Sequence, residues 1–162
     1  MNRPKRAWSI RPHRPEVPQQ LIRQYTYAYA TVDPLRGSLQ SLVLPQMTAE
    51  CMTLFLKEVA RRYRGEYVLI FCDQAACHQA KGLDLPAHIE LESLPPYSPQ
   101  LNPVEHLWDD MREKFFPNVV YDSMEALEEQ LCKALKTMKK KRSYTQSLCG
   151  FSWIVNCILN AN

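Results

Sequence analysis

No stretch of this sequence reaches the roughly 18 uninterrupted apolar residues that a membrane-crossing helix requires. Its opening, Met1-Asn2-Arg3-Pro4-Lys5-Arg6, leads into no apolar secretion segment. A soluble, intracellular chain without membrane contact is expected. None of the six cysteines forms a Cys-x-x-Cys pair, the knuckle that structural zinc sites use. A zinc set drawn from Cys72, Cys77, His78 and His88 therefore has the wrong spacing, and Cys72 belongs to a buried run. The thiols fall mostly in apolar stretches such as Leu69-Ile70-Phe71-Cys72, as free cysteines do in a reducing compartment. No internal repeat is present, nothing before Glu16 is acidic, and a net charge of +3 is too small to name a partner.

What is present is enough for one domain with a core: 162 residues, 46% of them hydrophobic. Pro4, Pro12, Pro15 and Pro18 make residues 1–20 an extended lead-in, with at most a short strand around Ala7 to Ile10. Tyr25 to Val32, the turn chemistry of Asp33-Pro34-Leu35-Arg36-Gly37 and the alternating Ser38 to Leu44 predict a β-hairpin. Thr48 caps a helix whose apolar residues Met52, Phe55, Leu56, Val59 and Tyr63 share one face, ending near Arg64-Gly65. Tyr67 to Cys72 reads as a central strand covered on both faces, stopping at Asp73. Ile89 to Glu92 alternates as a strand, and Leu94-Pro95-Pro96-Tyr97-Ser98-Pro99 forbids regular structure. Asn102 and Pro103 open a helix running to Lys114. Asp122 or Ser123 caps a long helix with Met124, Leu127, Leu131, Leu135 and Met138 on one face. A short helix around Phe151, Trp153, Ile154 and Ile158 is expected to pack on the domain.

Asp73 stands where a strand stops, and Glu105 falls in the first turn of a helix. The strand and proline-rich loop between them can fold the two together, and ligands gather at the strand ends of mostly parallel sheets. Two adjacent carboxylates repel unless a divalent cation neutralises them, and such oxygen ligands suit Mg²⁺ or Mn²⁺. The same residues admit a plainer reading. Asn102-Pro103-Val104-Glu105 has the spacing of a capping box, and Asp73 can serve as a turn residue. Spacing alone leaves both open.

Two segments carry a resemblance. Val68-Leu69-Ile70-Phe71-Cys72-Asp73-Gln74-Ala75-Ala76-Cys77-His78 and Leu94-Pro95-Pro96-Tyr97-Ser98-Pro99-Gln100-Leu101-Asn102-Pro103-Val104-Glu105-His106-Leu107-Trp108 together resemble the catalytic domain of mariner-superfamily transposases. The likeness is greatest to the bacterial insertion-sequence branch, the six-thirty group, and runs from Arg6-Ala7-Trp8 to about Leu131. It implies an α/β fold, a ribonuclease-H-like mixed sheet flanked by helices. In that family an Asp-Asp-Glu or Asp-Asp-Asp triad holds two Mg²⁺ (or Mn²⁺) ions. The resemblance makes Asp73 the second carboxylate and Glu105 the third, with His78 and Asn102 in support. Two-metal chemistry then implies DNA strand cleavage followed by strand transfer. Double-stranded DNA is the implied partner, and the bacterial cytoplasm, at the nucleoid, the implied location.

The family's first Asp lies on the first core strand, just before the strand that here begins near Trp8, and no such residue precedes it. Asp33 in the hairpin turn and Glu50 in a first helical turn do not occupy that position. The first core strand is therefore expected to be missing. Residues 21–138 form a partial endonuclease domain and 139–162 a basic segment with a C-terminal helix. Such a chain is expected to be inactive alone and to need an upstream transposase segment or a homodimer partner. Gln74 also departs from the family's Asn. Lys139-Lys140-Lys141-Arg142 fits contact with a DNA backbone, since each neutralised phosphate releases counterions; it equally fits complementing a helix C-terminus. The rival readings are a non-catalytic fragment that binds DNA or an intact transposase, and a resolvase or nuclease of the same fold.

Overall fold

Strand alternation and turn chemistry set the first element. In the computed structural model, which describes Ile10, Pro12 and residues 24–117 and 119–160, β1 (Tyr27–Asp33) and β2 (Ser38–Leu44) pair antiparallel, Tyr27 facing Leu44 and Asp33 facing Ser38. Expectations for the lead-in, including the strand around Trp8, lie outside the described residues apart from Ile10 and Pro12. Asp33 closes the turn by accepting from the amides of Leu35 (2.9 Å) and Arg36 (3.0 Å) through Oδ1. Gly37 ends it at φ +59°, and a Cβ there would lie 2.0 Å from the carbonyl oxygen of Arg142. Only glycine fits both the left-handed backbone and that approach.

The pleat of this hairpin divides the protein's interior in two. Tyr29 and Leu42 face a first core with Met52, Phe55, Leu56 and Val59 of α1 (Ala49–Arg62). Ala28, Ala30, Val32 and Leu39 face a second core with Leu107 and Met111 of α2 (Pro103–Phe115), Leu131, Leu135 and Met138 of α3 (Met124–Lys140), and Cys149 of α4 (Arg142–Cys149). The caps are those the sequence predicts. Thr48 Oγ1 accepts from Cys51 N at 3.3 Å, and Ser123, not Asp122, caps α3 by accepting from Ala126 N at 3.1 Å.

The class is α/β, with small sheets flanked by helices, an arrangement compatible with a ribonuclease-H-like domain. β3 (Val68–Cys72) and β4 (Ile89–Ser93) pair parallel in register, Val68 with Ile89 and Cys72 with Ser93. The described strands form two two-stranded sheets, β1-β2 antiparallel and β3-β4 parallel. The expected covering of β3 on both faces is corrected. Ile70 is buried in the first core with α1 and Cys72 is buried on the same face, while Leu69 and Phe71 on the opposite face are 47% and 57% exposed. The reason is that α2, α3 and α4 pack on the hairpin rather than on this face. The last helix, α5 (Ser152–Asn160), is helical as expected; none of its side chains is fully buried, and Ile154, Val155 and Ile158 are half-buried. It is tethered by Phe151, whose ring meets His106 edge-on at 4.8 Å. Among the described residues no helix is long and apolar enough to cross a membrane.

Candidate catalytic carboxylates

Because β3 and β4 run parallel, both end on the same side of their sheet, and Asp73 is the first residue past that end. Ladder pairing continues one step further, with Leu94 N donating to Cys72 O at 2.7 Å. Gln74 then donates from Nε2 to the carbonyl of Leu94 at 3.2 Å. The amide that departs from the family pattern thus fastens the strand end to the start of the proline-rich loop.

The Asp73 carboxylate is exposed and held on one side only. Oδ1 accepts from the backbone N–H of Ala75 at 3.1 Å and lies 2.9 Å from His78 Nδ1. The same ring nitrogen is 3.0 Å from the carbonyl oxygen of Asp73. A carbonyl only accepts, so Nδ1 carries the proton and is shared between the two oxygens. Oδ2 has no partner among the described residues. Beneath the carboxylate, burial first and then the charge of Asp73 push the Cys72 thiol up to about 11, and burial likewise raises Cys77. Both stay protonated near neutrality and are poor metal ligands. His88 is engaged elsewhere, its Nε2 lying 3.3 Å from the carbonyl oxygen of Ala60 at the end of α1.

Glu105 is delivered by a stiff segment. Pro95, Pro96, Pro99 and Pro103 restrict the chain, a single 3₁₀ turn spans Pro99–Leu101, and Tyr97 is fully exposed at φ +56°. Asn102 Oδ1 caps α2 by accepting from Val104 N at 3.1 Å. The backbone N–H of Asn102, which a capping box would offer to Glu105, donates instead to Pro99 O at 3.0 Å. Glu105 is therefore not the second half of a capping box, and its half-buried carboxylate has no partner among the described residues. The N-terminal end of α2 is fixed from behind by Cys149, whose Sγ donates to Pro103 O at 3.4 Å.

Asp73 and Glu105 are thus carried on different cores, the first on the α1 side of the hairpin and the second on the α2–α4 side. Among the described residues no three His, Cys, Asp or Glu side chains gather into a group that could hold a metal ion. Among the described residues the donor set as it stands does not fit a two-ion site.

The basic segment is spread over a helix junction. Lys139 and Lys140 close α3, Lys141 caps it, and Arg142 begins α4. Lys139 donates to Gln40 Oε1 at 3.1 Å, while Lys140, Lys141 and Arg142 are exposed. Reasoning from sequence did not find α4, nor the approach of Lys139 to Arg61 and Arg62 of α1, which line one cavity with it.

A family profile described as DDE superfamily endonuclease matches residues 1–128. The chain is similar to the uncharacterized protein y4pE/y4sA of Sinorhizobium fredii (strain NBRC 101917 / NGR234), 34% identical over 111 residues that span 68% of this chain and 82% of the relative. No solved structure matches the chain.

Proposed function

The chain belongs to the DDE superfamily endonucleases, and from that premise we propose that it is a transposase catalytic domain acting in DNA strand cleavage and strand transfer. We assign it to the mariner superfamily, in the six-thirty insertion-sequence branch, on the Pro-Pro-Tyr-Ser-Pro-Gln-Leu-Asn-Pro-Val-Glu run at Pro95–Glu105. The observation that carries the reading is the state of the two carboxylates. Asp73 stands at the end of a parallel strand pair with Oδ2 open, and Glu105 stands in a first helical turn released from capping. In this reading Asp73 and Glu105 are the catalytic carboxylates and ligands for Mg²⁺ or Mn²⁺. His78 orients Asp73, and Asn102 sets the helix that presents Glu105. A two-ion site needs a further carboxylate beside these two, and we propose that a partner segment or a second chain supplies it.

The test is nicking of supercoiled plasmid DNA in Mg²⁺ or Mn²⁺ by the chain supplied with a segment carrying that carboxylate. Loss of nicking in Asp73→Asn and in Glu105→Gln is expected, and wild-type nicking by Asp73→Asn overturns the assignment. A second reading, a non-catalytic regulator that binds DNA or an intact transposase, is supported by the exposed Lys140, Lys141 and Arg142. Salt-sensitive duplex binding that survives both carboxylate substitutions, without nicking under any condition, selects it.

A further inference from the structure

We propose that the cavity between α1, β2 and the end of α3 is a binding site for a phosphodiester of duplex DNA, separate from the candidate carboxylates. It rests on the DNA-acting reading above and assigns that reading a second contact surface. The cavity, of about 320 Å³, is lined by Gln40, Ser41, Glu58, Arg61, Arg62 and Lys139. These come from three elements, of which α3 is distant in sequence from β2 and α1. Leu39 and Leu42 anchor β2 to the two cores, and Phe55 and Val59 anchor α1 to the first. The cationic side chains therefore stand on a rigid frame.

The charges favour a monoanion. Three cations stand against one carboxylate, formally +2, with Arg61 paired to Glu58. Arg62 and Lys139 have no carboxylate partner among the described residues; Arg62 lies over the Tyr63 ring at 5.7 Å, and Lys139 holds only the neutral Gln40. Both α1 and α3 end here, and each helix C-terminus adds roughly half a negative charge. The remainder is about +1, enough to match one phosphodiester and too little for a phosphate dianion. Dipole complementation alone requires neither the convergence of two helix ends on one cavity nor the neutral donors beside them. Gln40 spends its oxygen on Lys139 and keeps its amide N–H groups for a ligand.

The experiment is anisotropy titration of a labelled random-sequence duplex with the full chain between about 50 and 200 mM salt. Each lost phosphate contact lowers the slope of log K against log salt by about 0.9. Arg61→Gln/Arg62→Gln is expected to lower the slope by about 1 to 2, with an unchanged thermal melt because both side chains are exposed. An unchanged slope in that folded variant, or no duplex binding by the wild type at the low-salt end, overturns the proposal. Inorganic phosphate at matched ionic strength is expected not to displace the duplex. Displacement that depends on Arg61 and Arg62 would mean a dianion site and overturn it too. Asp73→Asn separates the two readings. A slope loss in the arginine variant beside undiminished nicking by Asp73→Asn removes the catalytic reading and leaves the groove; the reverse pattern removes the groove alone.

Discussion

The imidazole Nδ1 of His78 lies 2.9 Å from Oδ1 of Asp73 and 3.0 Å from the carbonyl oxygen of the same residue. One nitrogen thus ties a side chain to its own backbone across a five-residue loop. The arrangement leaves Oδ2 without a partner among the described residues, which is what a carboxylate needs to act on something else.

His78→Ala removes that tie without touching the carboxylate. A group that orients a ligand from behind typically contributes 10- to 100-fold in activity or metal affinity. Nicking by the completed domain is expected to fall by about that factor, while stability drops by only about 1 kcal/mol because the bond is partly solvated. His78→Asn, whose amide can donate from near the position of Nδ1, is expected to recover part of the activity. Equal losses in Ala and Asn variants would show that His78 acts otherwise.

Asn102 and Glu105 are separated by the same logic. Asn102→Ala deletes the cap on Val104 N and is expected to cost about 1 kcal/mol of stability. Glu105→Gln breaks no hydrogen bond among the described residues and is expected to leave the melting temperature within about 1 °C while abolishing nicking. If both variants melt alike below the wild type, Glu105 is structural.

Gly37→Ala tests the seam between the hairpin and the basic segment. The left-handed φ alone costs roughly 1–2 kcal/mol in an L-residue, and the added Cβ would collide with the Arg142 carbonyl at 2.0 Å. Backbone there must move, so a total loss above about 2 kcal/mol is expected, read as a lower urea midpoint. Arg142 and α4 shift with it. The prediction fails if Gly37→Ala is neutral.

These cases also show which features sequence reveals. Turn and cap chemistry is local, so Asp33, Gly37, Thr48, Asn102 and Ser123 were readable, as were the apolar stripes of α1 and α3. Helix α4 was not, because Arg142–Cys149 buries only Thr145 and Cys149, and Thr145 is a polar residue satisfied by Met138 O at 3.2 Å. An apolar run such as Tyr67 to Cys72 states that a strand forms, but it cannot say which face finds a cover, and Leu69 and Phe71 stay about half exposed. Asp73 and Glu105 were each legible as terminal residues of their elements. Their placement on separate cores depends on the hairpin pleat between them. The meeting of Arg61 and Arg62 with Lys139 is a tertiary fact with no local signal.

The cysteines make a prediction at alkaline pH. Burial pushes Cys72 and Cys149 from the ordinary value of 9.0 up to about 11. Below pH 9 both thiols are protonated in folded and unfolded chains alike, and the full stability is present. Between 9 and 11 the unfolded chain has released these protons while the folded chain keeps them, so each rise in pH favours unfolding. Burial likewise raises Tyr29 from 10.0 to about 12 and extends the decline upward. The urea midpoint is therefore expected to hold below pH 9 and then fall. In Cys72→Ala/Cys149→Ala the whole curve starts lower, because two buried side chains are trimmed, but its fall between 9 and 11 is shallower. A double variant whose midpoint falls as steeply as that of the wild type would place the responsible groups elsewhere.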